Sequence, residues 1–322
     1  MTTKEKGYDL HCHTRASDGE LILEKLALLA KDIGLEGFCV TDHDTLKSSR
    51  KAKLVSELTG LEIIPGIELS GKIEDYLIDI TGYFIDPTNK KLEEVCRINR
   101  DFRKARIGEA IIKLNETYKK ILGKDISYDE VLNMTIEGSA EEQDSEASIC
   151  LKHINKVLIK RGLSEGRNAF KRAGWLSRTN PDGCYVERKS VEFNYAIDAI
   201  IDAGGVVGIP HPALVPYDYR NLTDQSFFEL IKSYVGKEKG IQIIETEYPY
   251  KKVRSECGID EKREQFWREI VKEYNLIGAG GSDGHQAPPK EPILDSSKVY
   301  PILGDRTTSK ETVEKIRLLS KK

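Results

Sequence analysis

Short apolar segments alternate with amphipathic segments along the first part of the chain. The apolar segments, each predicted to be a buried strand, are residues 7–11, 37–41, 61–67 and 76–84. Residues 20–33 have the apolar spacing of a helix that ends at Gly34, and a second helix is predicted around residues 54–58. This alternation predicts parallel strands joined by crossover helices, in a barrel or in a doubly wound sheet.

The alternation is interrupted between residues 87 and 190, where no apolar run longer than a few residues predicts a strand. Helical patterns occur instead at residues 91–118, 127–133, 149–160 and 167–173. The acidic, polar residues 137–148 predict a loop. The α/β pattern then returns, with helices predicted at residues 191–203, 262–274 and 310–319 and strands at residues 205–209, 240–245 and 276–280.

We therefore predict one α/β domain interrupted by a helical subdomain. The α/β domain consists of residues 1–90 and 191–322, and residues 91–190 form the helical insertion. The insertion has a plausible size for a subdomain, and 322 residues are enough to bury a large core.

Composition narrows the class of protein only slightly. The net charge of −3 gives no overall attraction to nucleic acid, and the six cysteines form no C-x-x-C pair, which argues against a zinc ribbon or a disulfide framework. No apolar run approaches the roughly 20 residues that span a bilayer, and no signal peptide is visible. We expect a cytoplasmic protein without a membrane partner, and the oligomeric state stays open.

Histidines and acids recur directly after the predicted strands. His11 and His13 follow the first strand and, being two apart in extended backbone, point to the same side. Similar positions after other strands or in the turns beyond them are held by Asp18, His43, Glu68, His211, Asp283 and His285. Charged acids are seldom buried without partners, and the carboxyl ends of parallel strands converge. The pattern predicts a site for several metal ions.

At these positions the sequence resembles the PHP (polymerase and histidinol phosphatase) family. The resemblance rests on HCHTRASDG, TDHD, GIE, GYFID, GIPHP and GSDGH, which occur in the family's order from about Tyr8 to the last helix. It implies a distorted (β/α)7 barrel with a helical insertion, most similar to the stand-alone phosphoesterases that act on nucleotides. It also implies two or three divalent cations, Mn²⁺, Fe²⁺ or Zn²⁺, with Mg²⁺ as a further alternative.

The resemblance also implies individual roles. One metal ion would be bound by His11, His13, Glu68 and Asp283, and a second by Asp18, His43 and His285. A third would be shared by Glu68, His153 of the insertion and Asp79, where relatives usually have a histidine. Because carboxylate is a sound ligand for such ions, Asp79 could keep the third ion, or the site could hold only two. His211, Asp283 and His43 are the residues that we expect to take part in catalysis.

We predict hydrolysis of phosphate esters of nucleotides or short oligonucleotides by a metal-bound hydroxide. Arg100, Arg103, Arg106, Glu245 and His211 are candidates for binding the phosphorylated substrate, although a solvated helix face would equally explain the arginines. Three alternatives stay open: a phosphatase of a small metabolite such as histidinol phosphate, an amide hydrolase, and a non-catalytic protein that binds metal or nucleotide. The amide hydrolase usually requires a bridging lysine, and no lysine holds a suitable strand end.

Overall fold

The computed structural model describes residues 7–135, 146–163, 174–176, 180, 183–219, 221–236, 240–253, 261–288 and 301–320. The predicted helix at residues 167–173 and most of the predicted loop at residues 137–148 lie outside these ranges. Within the described residues, no helix is long and apolar enough to cross a membrane.

The described strands form one curled sheet. In chain order they are β1 (Tyr8–Cys12), β2 (Gly37–Val40), β3 (Glu62–Ile73), β4 (Tyr76–Tyr83), β5 (Val191–Glu192), β6 (Val206–Ile209), β7 (Ile241–Glu247) and β8 (Ile277–Gly280). Seven of them follow the order β1-β2-β3-β4-β6-β7-β8, and the short β5 pairs with β3. The two ends of the sheet meet after β8, where Asp283 N donates to His11 O (2.8 Å) and His13 N donates to Gly284 O (3.0 Å). The predicted distorted seven-stranded barrel is confirmed.

The prediction of parallel strands is wrong for β4. This strand runs antiparallel to both β3 and β6, while the other neighbours on the path are parallel. The apolar segment predicted at residues 61–67 continues as β3 to Ile73, and a turn at Glu74 and Asp75 leads directly into β4. A two-residue turn can join only antiparallel strands, because a parallel connection needs a crossover of a dozen residues or more.

The helices cover the sheet and form the insertion. They are α1 (Leu23–Asp32), α2 (Lys47–Thr59), α3 (Lys90–Thr117), α4 (Lys119–Leu122), α5 (Tyr128–Leu132), α6 (Leu151–Lys160), α7 (Phe193–Asp202), α8 (Val215–Asp218), α9 (Asp224–Ile231), α10 (Tyr250–Val253), α11 (Glu261–Glu273) and α12 (Lys310–Ser320), with 3-10 turns at Pro212–Leu214 and Lys232–Tyr234. The helical pieces within residues 212–218 and 224–234 were not predicted, because they are too short to show a clear period.

Helix α3 connects the barrel to the insertion. Asn89 caps its start by accepting a hydrogen bond from Leu92 N. Its first turns contribute to the main barrel core, for example through Val95, while Ile107 and Leu114 belong to a separate hydrophobic cluster built from residues between 107 and 186. Having its own cluster supports the insertion as a subdomain, although the division into residues 91–190 and the two flanking parts stays a prediction.

Candidate metal centre

The first candidate ligands lie at the end of β1. His11 is the fourth residue of the strand and His13 follows it, so both rings point into the barrel mouth. Both are buried, and their Nε2 atoms are 3.1 Å apart. The Nδ1 atom of His11 lies 3.3 Å from Glu245 Oε1. A carboxylate at Nδ1 that leaves Nε2 facing the centre is the arrangement usual for a metal-binding histidine.

Glu68 of β3 lies at the centre of the histidines. Its Oε2 is 3.4 Å from His11 Nε2, 3.3 Å from His13 Nε2 and 3.0 Å from His43 Nδ1. Although the carboxylate is fully buried, neither oxygen has a hydrogen-bond partner of acceptable geometry. Burial opposes ionisation, but the charges of His43 and His11 outweigh it and hold the pKa of Glu68 well below its usual range. Such an unpaired buried carboxylate fits a cation that binds to both oxygens.

The turn after β8 brings Asp283 to the same histidines. Asp283 Oδ1 lies 3.0 Å from His13 Nε2 and 3.5 Å from His11 Nε2. Its Oδ2 accepts a hydrogen bond from Tyr248 OH at 2.8 Å. The ligand atoms of His11, His13 and Asp283 lie within 4.8 Å of one another, as do those of His11, Glu68 and His211. The structure therefore brings the first predicted ligand set together.

A second group lies on the other side of His13. The ligand atoms of His13, Asp18, His43 and His285 all lie within 4.8 Å of one another, and His285 Nε2 is 2.9 Å from Asp18 Oδ1. The rings of His13 and His285 stack with centroids 4.1 Å apart. The second predicted ligand set is therefore also assembled, with His13 between the two groups. Lys152 of α6 forms an ion pair with Asp18 at the edge of this group.

His211 adopts an unusual backbone conformation just after β6. Its φ of 32° is in the left-handed region, and its backbone N donates to Glu245 Oε2 at 2.7 Å. The ring stacks on His11 with centroids 5.5 Å apart, and its Nε2 is 3.4 Å from Glu68 Oε1. Five of the six histidines of the chain thus converge on one site.

Glu245, which we predicted to bind substrate, contacts other site residues. It is buried and faces the His11 ring with one oxygen and the His211 backbone with the other. Gly281 permits this packing, since a Cβ there would lie 2.3 Å from His11 Cβ and 2.6 Å from Glu245 Oε1. Glu245 therefore positions two of the candidate ligands.

Several buried polar residues outside the predicted ligand and substrate sets support the site. Asp9 accepts hydrogen bonds from the backbone N of Ser282 (2.9 Å) and of Gly304 (2.8 Å), and burial raises its pKa to about 6 despite these donors. Asp42 accepts from the Ser17 hydroxyl at 2.6 Å and so shapes the turn that carries Asp18. Tyr248 orients Asp283 through the hydrogen bond that its hydroxyl donates. A single acid inside an apolar strand, as in YDLHC, is the one signal that could have indicated Asp9.

The predicted third ligand set is not brought together in the same way. Within the described residues, no cluster of three candidate ligands within 4.8 Å includes Asp79 or His153. Asp79 Oδ1 accepts from Ser70 Oγ (2.7 Å) and from Arg188 Nη2 (3.1 Å). His153 is buried at the start of α6, and its Nδ1 accepts from Cys150 N at 3.0 Å. Their role as metal ligands stays a prediction.

The three predicted arginines differ in environment. Arg103 is buried and donates to Asp44 Oδ2 at 2.6 Å, and Arg100 is buried against Glu93, 3.0 Å away. Arg106 is half-buried, donates to the Val186 carbonyl (2.8 Å) and lies over the Tyr185 ring. The acids that hold Arg100 and Arg103 favour a structural role, while binding of substrate by the three arginines stays a prediction.

Comparison with known proteins agrees with this geometry. The model of the PHP domain family matches residues 9–187, more than half of the chain. The chain therefore belongs to the PHP family.

Individual relatives point to the same class of activity. A 5'-3' exoribonuclease of Haemophilus influenzae is 28% identical over 87% of this chain and 90% of its own length. A 3',5'-nucleoside bisphosphate phosphatase of Chromobacterium violaceum is 25% identical over 63% of this chain and 66% of its own length. A crystal structure from Bifidobacterium adolescentis, to which metal-dependent phosphoesterase activity is ascribed, has a TM-score of 0.77, with 27% identity, 97% of this chain and 96% of the other covered. The predicted class, a metal-dependent hydrolase of phosphate esters, is confirmed.

Proposed function

We propose that the protein hydrolyses phosphate esters of nucleotides or short oligonucleotides at the barrel mouth. The nucleotide class is supported by the names of the Haemophilus and Chromobacterium relatives. The single observation that carries the chemistry is the environment of Glu68, a buried carboxylate surrounded by imidazole nitrogens without a hydrogen bond to any of them.

The donor set fits divalent cations. Imidazole nitrogens mixed with carboxylate oxygens suit Mn²⁺, Fe²⁺ or Zn²⁺ better than Mg²⁺ or Ca²⁺, which prefer oxygen alone. His11, His13, Glu68 and Asp283 would hold one ion, and Asp18, His43 and His285 the other. When bound, a pair of such ions supplies Lewis-acid catalysis by polarising a phosphoryl oxygen and lowering the pKa of water.

The remaining residues fix the geometry of this donor set. Glu245 holds the His11 ring through Nδ1, and Tyr248 holds Asp283 through Oδ2, so that the opposite atoms face the centre. His211 borders the carboxylate of Glu68 and faces the same space. We propose that His211 binds a phosphoryl oxygen of the substrate in this space. We also propose that the insertion, residues 91–190, is a subdomain that covers one side of the site.

The experiment is a substrate comparison with metal counting. The protein is loaded with Mn²⁺, metals per chain are measured by plasma mass spectrometry, and phosphate release is followed with and without chelator. The substrates are a nucleoside 3',5'-bisphosphate, a 5'-phosphorylated short oligonucleotide and histidinol phosphate. We expect chelator-sensitive turnover of at least one nucleotide substrate.

Two other outcomes would redirect the proposal. A higher kcat/KM for histidinol phosphate than for either nucleotide substrate would identify a metabolite phosphatase with the same metal chemistry. Bound metal without turnover of any of the three substrates would contradict the nucleotide hydrolase and leave a binding role.

A further inference from the structure

The ion pair between Asp79 and Arg188 lies beside the histidines and takes no part in the mechanism above. Asp79 is on β4, directly opposite Ser70 of β3 in the antiparallel pairing, and Glu68 is two residues before Ser70. Residues opposite each other and residues two apart along a strand project from the same face, so Asp79 and Glu68 share a face at a diagonal separation of roughly 7–8 Å. The position of Asp79 is therefore next to the metal centre.

A cation already occupies the Asp79 carboxylate. Arg188 Nη2 donates to Asp79 Oδ1 at 3.1 Å, and the Ser70 hydroxyl donates to the same oxygen at 2.7 Å. Burial would raise the pKa of Asp79, but the Arg188 guanidinium, His43 and the Ser70 hydroxyl together outweigh it and lower the pKa. A guanidinium cannot be deprotonated in a protein, so a divalent ion at this carboxylate would face a permanent positive charge at close range.

Arg188 is held in this place by its neighbours in the chain. Ser190 donates to the Ser70 carbonyl, and Val191 N donates to Asn99 Oδ1 at 3.0 Å. Val191 then pairs with Gly71 as β5. The segment that carries Arg188 is thus fixed to β3 and α3 within three residues of the guanidinium.

Arg188 also has donors to spare. Asp79 is its one hydrogen-bond partner within the described residues, and a guanidinium has five N–H groups. Its side chain is 16% exposed and that of Asp79 is 24% exposed, whereas Arg100 and Arg103 are each 6% exposed. Of these three arginines, Arg188 is thus the most accessible to a ligand in the barrel mouth.

We propose that the Arg188 guanidinium, held by Asp79, takes the place of a third metal ion, leaves a two-metal site, and binds a non-bridging oxygen of the substrate phosphate. The binding part of this proposal rests on the proposed function. A planar fork of donors matches two phosphate oxygens, so that the guanidinium supplies both charge and orientation.

The first test counts metals without turnover. Wild-type protein and Asp79→Asn are loaded with Mn²⁺, separated from free metal, and measured by plasma mass spectrometry. We expect two ions per chain in both, because Asp79 is not a ligand. A count of three in the wild type that falls to two in Asp79→Asn would overturn the two-metal site.

The second test measures binding of inorganic phosphate by calorimetry in the presence of Mn²⁺. Arg188→Ala is expected to weaken binding roughly 10- to 100-fold, the range for loss of a charge-assisted hydrogen bond. Millimolar guanidinium chloride should restore part of the affinity, which a merely structural role would not allow. Arg97→Ala is the matched control, since Arg97 is an exposed arginine in two ion pairs on α3.

The outcomes separate this inference from the proposed function. If Arg188→Ala binds phosphate as tightly as Arg97→Ala while both melt at the wild-type temperature, Arg188 does not bind the ligand and the proposal is wrong. If the protein binds two Mn²⁺ ions and phosphate through Arg188 yet turns over no nucleotide, the proposed function fails and the inference stands.

Discussion

Two neighbouring parts of the barrel mouth neutralise their carboxylates in different ways. In the histidine cluster, formed by His11, His13, Asp18, His43, Glu68, His211, Asp283 and His285, the acids face mainly imidazole nitrogens, and Glu68 has no hydrogen bond. In the arginine network, formed by Asp44, Asp79, Arg103 and Arg188, each acid is paired with a guanidinium. Lys152 forms an ion pair with Asp18 at the edge of the histidine cluster.

The difference indicates where metal ions belong. An imidazole that binds a metal ion is neutral and cannot balance a buried carboxylate, so histidines acting as ligands leave the acids of the histidine cluster to be balanced by the added cations. The acids of the arginine network are already paired with guanidinium groups, so this network needs no added metal ion. The distance of an acid from the metal centre is therefore a poor guide to whether it binds metal. Whether imidazoles or guanidinium groups lie beside the acid is a better guide.

Loss of the central acid should have the largest effect. Glu68→Gln removes the charge that faces four histidines, and we expect kcat/KM to fall by a factor on the order of 10³ or more, with at least one Mn²⁺ lost per chain. Steady-state kinetics and plasma mass spectrometry provide the measurement. Glu94→Gln, an exposed acid on α3, is the control. Full metal content and activity in Glu68→Gln would contradict the conclusion that the histidine cluster, unlike the arginine network, depends on its acids to bind metal.

Breaking the arginine network should instead affect stability. Asp44→Asn presents an amide to the buried guanidinium of Arg103, and we expect a loss of roughly 3–5 kcal/mol in the free energy of unfolding, at unchanged metal content. Urea denaturation measures it. The control is Asp101→Asn, which breaks an exposed ion pair on α3, the helix that carries Arg103. It should lower the free energy of unfolding by less than about 1 kcal/mol. Equal losses in the two variants would contradict a structural role for the buried pair.

Metal removal should destabilise the protein through the histidine cluster alone. At a Mn²⁺ concentration of about 100 times Kd, binding of one ion to the native state adds about 2.7 kcal/mol to the free energy of unfolding. For a chain of this size, that corresponds to a rise of roughly 4 °C in melting temperature. Differential scanning fluorimetry with and without chelator measures the shift. We expect Glu68→Gln to lose most of the shift and Asp79→Asn to keep it. A shift absent from Asp79→Asn would place a metal in the arginine network.

The smallest effect is expected where a residue acts only by orienting a ligand. Tyr248→Phe removes the hydrogen bond to Asp283 Oδ2, and we expect metal affinity to fall about 10-fold, near the lower end for such supporting contacts. Competition with a fluorescent chelator measures it. Tyr8→Phe loses a comparable bond to Glu62 outside the site and should leave affinity unchanged. A similar loss in both variants would point to a general effect on folding.

Local pattern was sufficient for most strands and for the longer helices. The strands ending near His11, Val40, Ile209 and Gly280 were predicted to within a few residues, because burial on both faces gives short apolar runs. Helix α3 was predicted almost to the residue from its period. The short helices between residues 212 and 234 and the direction of β4 were not predicted, since neither leaves a periodic signal.

The sequence by itself determined which residues meet at the end of each strand. The spacing in the sequence is enough to place His11 beside His13, Asp283 beside His285, and Glu68 directly after GI. Parallel strands then bring their carboxyl ends to one edge of the sheet. Only the tertiary structure decided which polar side chain lies beside each acid. Asp79 and Arg188 are 109 residues apart, and Tyr248, which follows β7, reaches Asp283, which follows the neighbouring β8 and is 35 residues away. Such pairings depend on how distant segments pack, which no local pattern records. They distinguish the acids of the histidine cluster from Asp44 and Asp79, each of which is paired with a guanidinium.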